Sequence, residues 1–261
     1  MKYLLGLLIL ALAGCGTSSS STEKTEKPEK ISGSATFWDT GSVEGSLIFH
    51  GGSPVYSKRE DSVKAALEDA AKKAAVFATV EGRLRSSVNI GAGVFDYQSE
   101  TETSLIYPEP SPADLVFDPE TDVLESNHSI FVRARYKPPE PAPIPYRSSS
   151  FQKKAKPSWI ADPPAVPGYT VGVGYAGARS IYADTLAASY ENAVFSIIAV
   201  LYGSAKEETA SFQGAGTFDV SSTKTHEIKA SGKLRGFYVI DAWTDPADKS
   251  MWTLGIAQKA D

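Results

Sequence analysis

The sequence predicts an α+β protein built as two tandem, similar domains, each a long helix packed on a mostly antiparallel sheet. Three observations carry this. Val63, Leu67, Ala70, Ala74, Phe77 and Ala78 recur at helical intervals, and so do Leu186, Tyr190, Ala193, Ile197, Val200 and Leu201, so each half holds one amphipathic helix with a buried stripe. A short extended run precedes each helix and runs of strand character follow it, the order of a helix laid on one face of a meander. The helices also match each other: Asp61-Ser-Val-Lys-Ala-Ala-Leu-Glu-Asp-Ala70 reads against Asp184-Thr-Leu-Ala-Ala-Ser-Tyr-Glu-Asn-Ala193, 123 residues later.

Landmarks around the helices hold that spacing. Trp38 lies 121 residues before Trp159, Gly51 lies 123 before Gly174 and Lys137 lies 122 before Lys259. A register kept along a whole unit points to tandem duplication, and its period is far longer than a solenoid repeat. The chain, 261 residues and 27.9 kDa, is long enough for two small cores. With 26 Lys and Arg against 31 Asp and Glu, its net charge is -5, and no basic stripe presents itself for nucleic-acid phosphates. The single cysteine excludes an intramolecular disulfide framework and a cysteine-built zinc site.

Residues 1–14 read as a signal peptide: Lys2 precedes a short apolar run that ends in small residues, too short for a mature spanning helix. Leu12-Ala13-Gly14-Cys15 resembles the bacterial lipobox, which implies lipidation of Cys15 and a membrane partner held through that lipid. Gly16 and Thr17 follow, rather than Asp, and by the same resemblance imply the outer membrane. Residues 15–33 alternate Glu with Lys among Ser and Thr and read as a disordered tether with a reach of about 20 to 25 Å.

The first domain is expected at 34–137. Gly45–Phe49 reads as its leading strand, Ser57-Lys-Arg-Glu60 has the spacing of a capping box at the helix start, and Asp114–Phe117 and Ser129–Tyr136 read as later strands. Residues 138–156 are Pro-rich and read as an extended linker. In the second domain, 157–261, Tyr169–Val173 leads into the helix. Phe218–Val220, Phe237–Trp243 and Met251–Ile256 follow as strands, the last two joined by a turn at Asp245-Pro-Ala-Asp-Lys249.

Pro157-Ser-Trp-Ile160, the Gly-rich Val171-Gly-Val-Gly-Tyr-Ala-Gly177, the Ala-rich helix from Ile181 and the late aromatic hairpin resemble a family of bacterial lipoproteins named after a twenty-kilodalton surface antigen. A related domain opens a flagellar assembly lipoprotein. The resemblance covers the second half directly and the first through the duplication. It implies an outer-membrane lipoprotein, carries a flagellar connection as one option, and brings no active site with it.

Several motifs have the outline of enzyme sites. Gly172-Val-Gly-Tyr-Ala-Gly177 spells G-x-G-x-x-G between a strand and a helix, but the acid-bearing second strand of a dinucleotide fold does not follow about twenty residues on. A tight turn and close packing explain those glycines better. His50-Gly-Gly52 has the form of a lipase oxyanion loop, yet no G-x-S-x-G elbow occurs in the chain. His226-Glu227 begins like a zincin motif and has Ala230 where the second histidine belongs; His128 stands alone. Glu68, Asp69, Glu207 and Glu208 read as solvated helix faces, and Trp243 and Trp252 as sheet core.

The reading is therefore a non-catalytic, lipid-anchored envelope protein that docks another envelope protein. Cys15 is its modified residue, and no catalytic, cofactor or metal residue is assigned. Two alternatives are a periplasmic small-molecule or glycan binder using the cleft between domains, and a nucleotide-dependent enzyme at the Gly172 loop.

Overall fold

The computed structural model describes residues 37–90, 97–140, 142, 144–151, 153–213 and 220–260. The signal peptide 1–14, Cys15 and the tether 15–33 lie outside them, as do Phe218 and Asp219 of one expected strand.

Two helices and two antiparallel sheets make a mixed α+β fold. The first sheet contains β1 (Ser42–Val43), β2 (Ser46–Pro54), β5 (Leu115–Val116), β6 (Val123–Ser126) and β7 (Ser129–Tyr136), with β7 paired to β2, β5 and β6. The second contains β3 (Val80–Ile90), β4 (Tyr97–Ile106), β8 (Thr170–Ala176), β9 (Ser204–Gln213), β10 (Val220–Thr244) and β11 (Met251–Lys259), in the order β4-β3-β10-β11-β8 with β9 on the free side of β10's first part. Two-residue turns close two of the pairings. Glu44 and Gly45 between β1 and β2, and Asn127 and His128 between β6 and β7, all take positive φ, the backbone of a primed hairpin turn. The expected turn at Asp245–Lys249 forms, held by Lys249 N to Asp245 O at 2.9 Å and by Ala247 N to Asp245 Oδ1 at 2.8 Å.

Helix α1 is Arg59–Ala78 and packs its alanines, Ala66, Ala70, Ala71 and Ala74, onto β2 and β7. Its start differs from the capping box expected at Ser57. Lys58 takes the cap position without a side-chain bond, and Ser62 Oγ instead accepts from Tyr56 N at 2.7 Å. Glu60 and Asp61 in the first turn complement the positive end of the helix dipole. Helix α2, Tyr182–Tyr202, lies across β8, β11 and β10, burying Leu186, Tyr190, Ala193 and Ile197 as the periodicity requires. Val200 departs from that stripe and is 58% exposed. By length and apolar composition α2 could cross a membrane, but here it serves as a core helix, with just over half of that stretch buried.

The two halves repeat each other in detail. A β-carbon on Gly51 would lie 1.8 Å from Ala66 O and 2.6 Å from Ala70 N; one on Gly174 would lie 1.9 Å from Ser189 O and 2.4 Å from Ala193 N. All three positions shift by 123. So does the hairpin that follows each helix: Glu81 pairs with Ile106 and Ile90 with Tyr97, while Ser204 pairs with Lys229 and Gln213 with Val220. Both hairpins escaped the sequence reading.

The halves are nonetheless not separate bodies, and the chain does not divide at 137 and 157. Residues 34–261 form one compact unit. β3 of the first half pairs over eleven residues with β10 of the second. One core cluster joins Leu47, Phe49 and Ile130 to Tyr238, Trp243 and Leu254. The Pro-rich stretch is extended, as proline demands, but its described residues lie along this body rather than bridging two domains. Thr40 and Arg147 exchange backbone bonds at 3.0 and 2.8 Å, Ile144 is buried, and Phe151 stacks on Trp38 with centroids 3.9 Å apart.

Candidate functional site

One group of interior polar side chains gathers where the halves meet, around one cation. Lys73 sits on α1 one position before Ala74 of the buried stripe, so its chain passes into the core and its charge needs partners there. Nζ donates to Asp69 Oδ2 at 2.8 Å, one helical turn back, and to the carbonyl of His50 at 2.7 Å. Asp69 Oδ2 also accepts from Gly52 N at 2.9 Å, which ties α1 to β2 beside the close approach at Gly51. The ammonium lies 5.4 Å from the centroid of the Tyr190 ring on α2. Next to it, Lys72 bonds Glu191 at 3.0 Å across the two helices; burial lowers the Lys72 pKa, and the Glu191 bond and charge outweigh it and raise the value.

His50 is half-buried between Trp38 and Phe37, and its Nε2 donates to Phe37 O at 2.6 Å. Burial pushes its pKa down to about 4; the Phe37 bond works against that, while the Lys73 and Arg133 charges add to it. A neutral imidazole bound to a backbone carbonyl is a poor general base near pH 7. A cavity of about 50 Å³ lies beside it, lined by Trp38, His50, Lys73, Ser149, Tyr190 and Thr253. Trp38 Nε1 and Tyr190 OH are buried with no protein partner among the described residues. That volume admits a water or two, whereas pockets for drug-sized or sugar-sized ligands run to several hundred Å³.

A second polar centre secures the strap formed by residues 144–151. Asp241 Oδ1 accepts from Ser150 N at 2.6 Å and from Ala242 N at 2.8 Å, and Oδ2 accepts from Trp159 Nε1 at 2.8 Å. Asp39 receives Tyr146 OH and, at 3.2 Å, Ser149 N. These carboxylates are engaged with backbone and aromatic donors, so their work is structural.

The residues singled out from the sequence are dispersed. Cys15 lies outside the described residues, and for His226, Glu207 and Glu208 only the backbone is described. Glu207 and Glu208 stand on β9 rather than on a helix face. Asp69 is the Lys73 partner rather than a solvated acid. His128 is a hairpin turn residue. Trp243 is core, as expected, and donates to Lys153 O at 2.8 Å. Gly172 and Gly174 lie inside β8, antiparallel to β11, where side chains would enter α2 at Ile197 and Ser189. They serve helix-on-sheet contact, whereas pyrophosphate recognition belongs to a parallel βαβ turn. Sequence reasoning placed Tyr190 in a buried helical stripe but not beside a cation, and it assigned no site role to Lys73 or Asp241. The one available signal was the Asp69 and Lys73 spacing of four on a helix face otherwise lined with alanine.

What the described residues leave open to a partner is the pair of hairpins. β3–β4 and β9–β10 form a four-stranded sheet, β4-β3-β10-β9, anchored at its base by Val80, Ala230 and Leu234 under α2. Beyond that base Arg83, Arg85 and Thr101–Ser104 are exposed, and β4 and β9 each have one strand neighbour. No protein-family model, curated protein or solved structure matches the chain.

Proposed function

We propose that this chain is a non-catalytic, lipid-anchored cell-envelope protein of the outer membrane that docks another envelope component. The reading joins the lipobox at Cys15 and the resemblance to the twenty-kilodalton-antigen lipoproteins to one structural observation: two ten-residue strand edges, β4 and β9, each without a second strand neighbour among the described residues. An unpaired edge is a template for strand addition, a mode of protein recognition in which backbone bonds supply affinity. The Lys73 and His50 groups are consumed by internal bonds, and the cavity beside them is too small for a glycan, so the ligand-binding alternative draws no support from them. The matched register of the halves fits an ancestral duplication whose copies have fused into one core.

Cys15→Ser tests the anchor. The variant loses lipid labelling and leaves the membrane fraction or accumulates unprocessed; continued sedimentation with membranes after an alkaline wash overturns the lipid as the sole anchor. Affinity purification of the wild-type lipoprotein from detergent-solubilised membranes tests docking, and recovery of the chain alone counts against it.

A further inference from the structure

The open edges also indicate what covers them. β9 is the equivalent of β3 at the 123-residue spacing, and the first part of β10 is the equivalent of β4. Within the chain, the first strand of one hairpin, β3, pairs with the second strand of the other, β10. Applied once more, the same pairing brings β9 of one molecule against β4 of the next. Strand directions permit it: every neighbour in β4-β3-β10-β9 is antiparallel, so β4 and β9 run in opposite senses and an identically oriented copy continues the alternation. The intrachain register sets the intermolecular one. Leu234 opposite Val80 and Lys224 opposite Ile90, moved by one repeat, place Ala210 opposite Ser104 and Ser211 opposite Thr103 of the neighbour. Natural edges are commonly blunted by proline and by charged side chains, lysine above all. Neither edge contains proline; β4 carries Glu100 and Glu102, β9 carries Lys206, Glu207 and Glu208 in its first half, and the stretch 209–213 that this register uses is uncharged.

We propose that the docked partner is a second copy of this chain, joined head to tail through β9 and β4. The inference rests on the docking reading and names its occupant. The contact is heterologous: each molecule keeps one free β4 and one free β9, so association continues beyond a dimer into a ring or a filament.

Disulfide cross-linking of the full-length lipoprotein in its own membranes tests this, with the wild-type chain, whose single cysteine is Cys15, as control. Ser104→Cys combined with Ala210→Cys gives, on mild oxidation, a ladder of dimers, trimers and larger species on non-reducing gels. Thr103→Cys with Ser211→Cys samples the adjacent register position. Each single variant stays monomeric, and the two single variants expressed together stop at the dimer. A dimer from Ser104→Cys alone means two β4 edges meet, and overturns the head-to-tail arrangement. Absence of a ladder from both double variants, with circular dichroism unchanged, overturns self-association. In that case, co-purification from membranes with a differently tagged copy separates the remaining outcomes. Recovery of a different envelope protein without the second copy leaves docking standing, and recovery of the tagged chain alone removes both readings.

Discussion

Gly51 and Gly174 each bring a strand so close to a helix that a β-carbon would meet a backbone carbonyl at less than 2 Å. Backbone cannot yield as a flexible side chain can, so the helix must lift from its sheet. Gly174→Ala and Gly51→Ala are therefore each expected to lower unfolding free energy by about 3 kcal/mol, the upper range for overpacking, and urea melts of the two variants should agree because the contacts are equivalent. His50 supplies a pH dependence of definite sign. Its folded pKa, about 4, lies below the unfolded value of 6.5, so the stability it contributes is present above pH 6.5 and is lost as pH falls towards 4. The loss amounts to about 3 kcal/mol across that window. Urea midpoints measured at pH 7 and pH 4.5 should fall more for the wild type than for His50→Phe, which has no imidazole to protonate. Equal falls would show that the ring charges without cost. His50 could be named from the sequence, as part of a loop with an oxyanion-site outline. Its actual role depends on Phe37 O and on Trp38, groups that only folding brings to it.

At the scale of elements, periodicity decided what was legible. α1 and α2 alternate apolar and polar residues with a helical period because one face of each is buried, and both were placed correctly. β7 and β11 were legible because they are largely buried, with long apolar runs. β3, β4 and β9 were not, since they are rich in polar and charged residues without a long apolar run, and β9 opens Ser204-Ala-Lys-Glu-Glu-Thr. A repeated hexapeptide, Gly91-Ala-Gly-Val-Phe-Asp96 and Gly214-Ala-Gly-Thr-Phe-Asp219, connects the strands of each hairpin at the same 123-residue spacing and was the signal available for them. The Pro-rich stretch reads as an exposed linker, whereas the strap is tied down by Thr40, Asp39 and Asp241 and by Phe151 on Trp38. Limited trypsin digestion is accordingly expected to cut Arg147 slowly in the wild type. Phe151→Ala should speed that cut and cost about 3 kcal/mol of stability, as large aromatic truncations in cores do. Rapid cleavage at Arg147 in the wild type would mean that the strap is free.

At the scale of the molecule, one compact unit replaces the two expected domains because each half lacks something the other provides. β3 of the first half finds its inner neighbour in β10, and β10 runs on from Leu234 to pair with β11, with bulges near Gly236 and Ile240 inside that pairing. A strand of 25 residues that pairs with β3 and β9 along its first part and with β11 along its second leaves no boundary for the chain to part at. The sequence by itself determined the helix positions, the repeat spacing, the antiparallel α+β class and the candidate lipid anchor, because each is written in local chemistry or in the periodicity of burial. The pairing of one repeat's hairpin with the other's, the bond of Lys73 to the carbonyl of His50 on β2 and the free edges of β4 and β9 were decided only by the tertiary structure. Each joins residues far apart in the chain or in different elements, and no local preference of side chain or backbone encodes which distant strand a polar strand will choose.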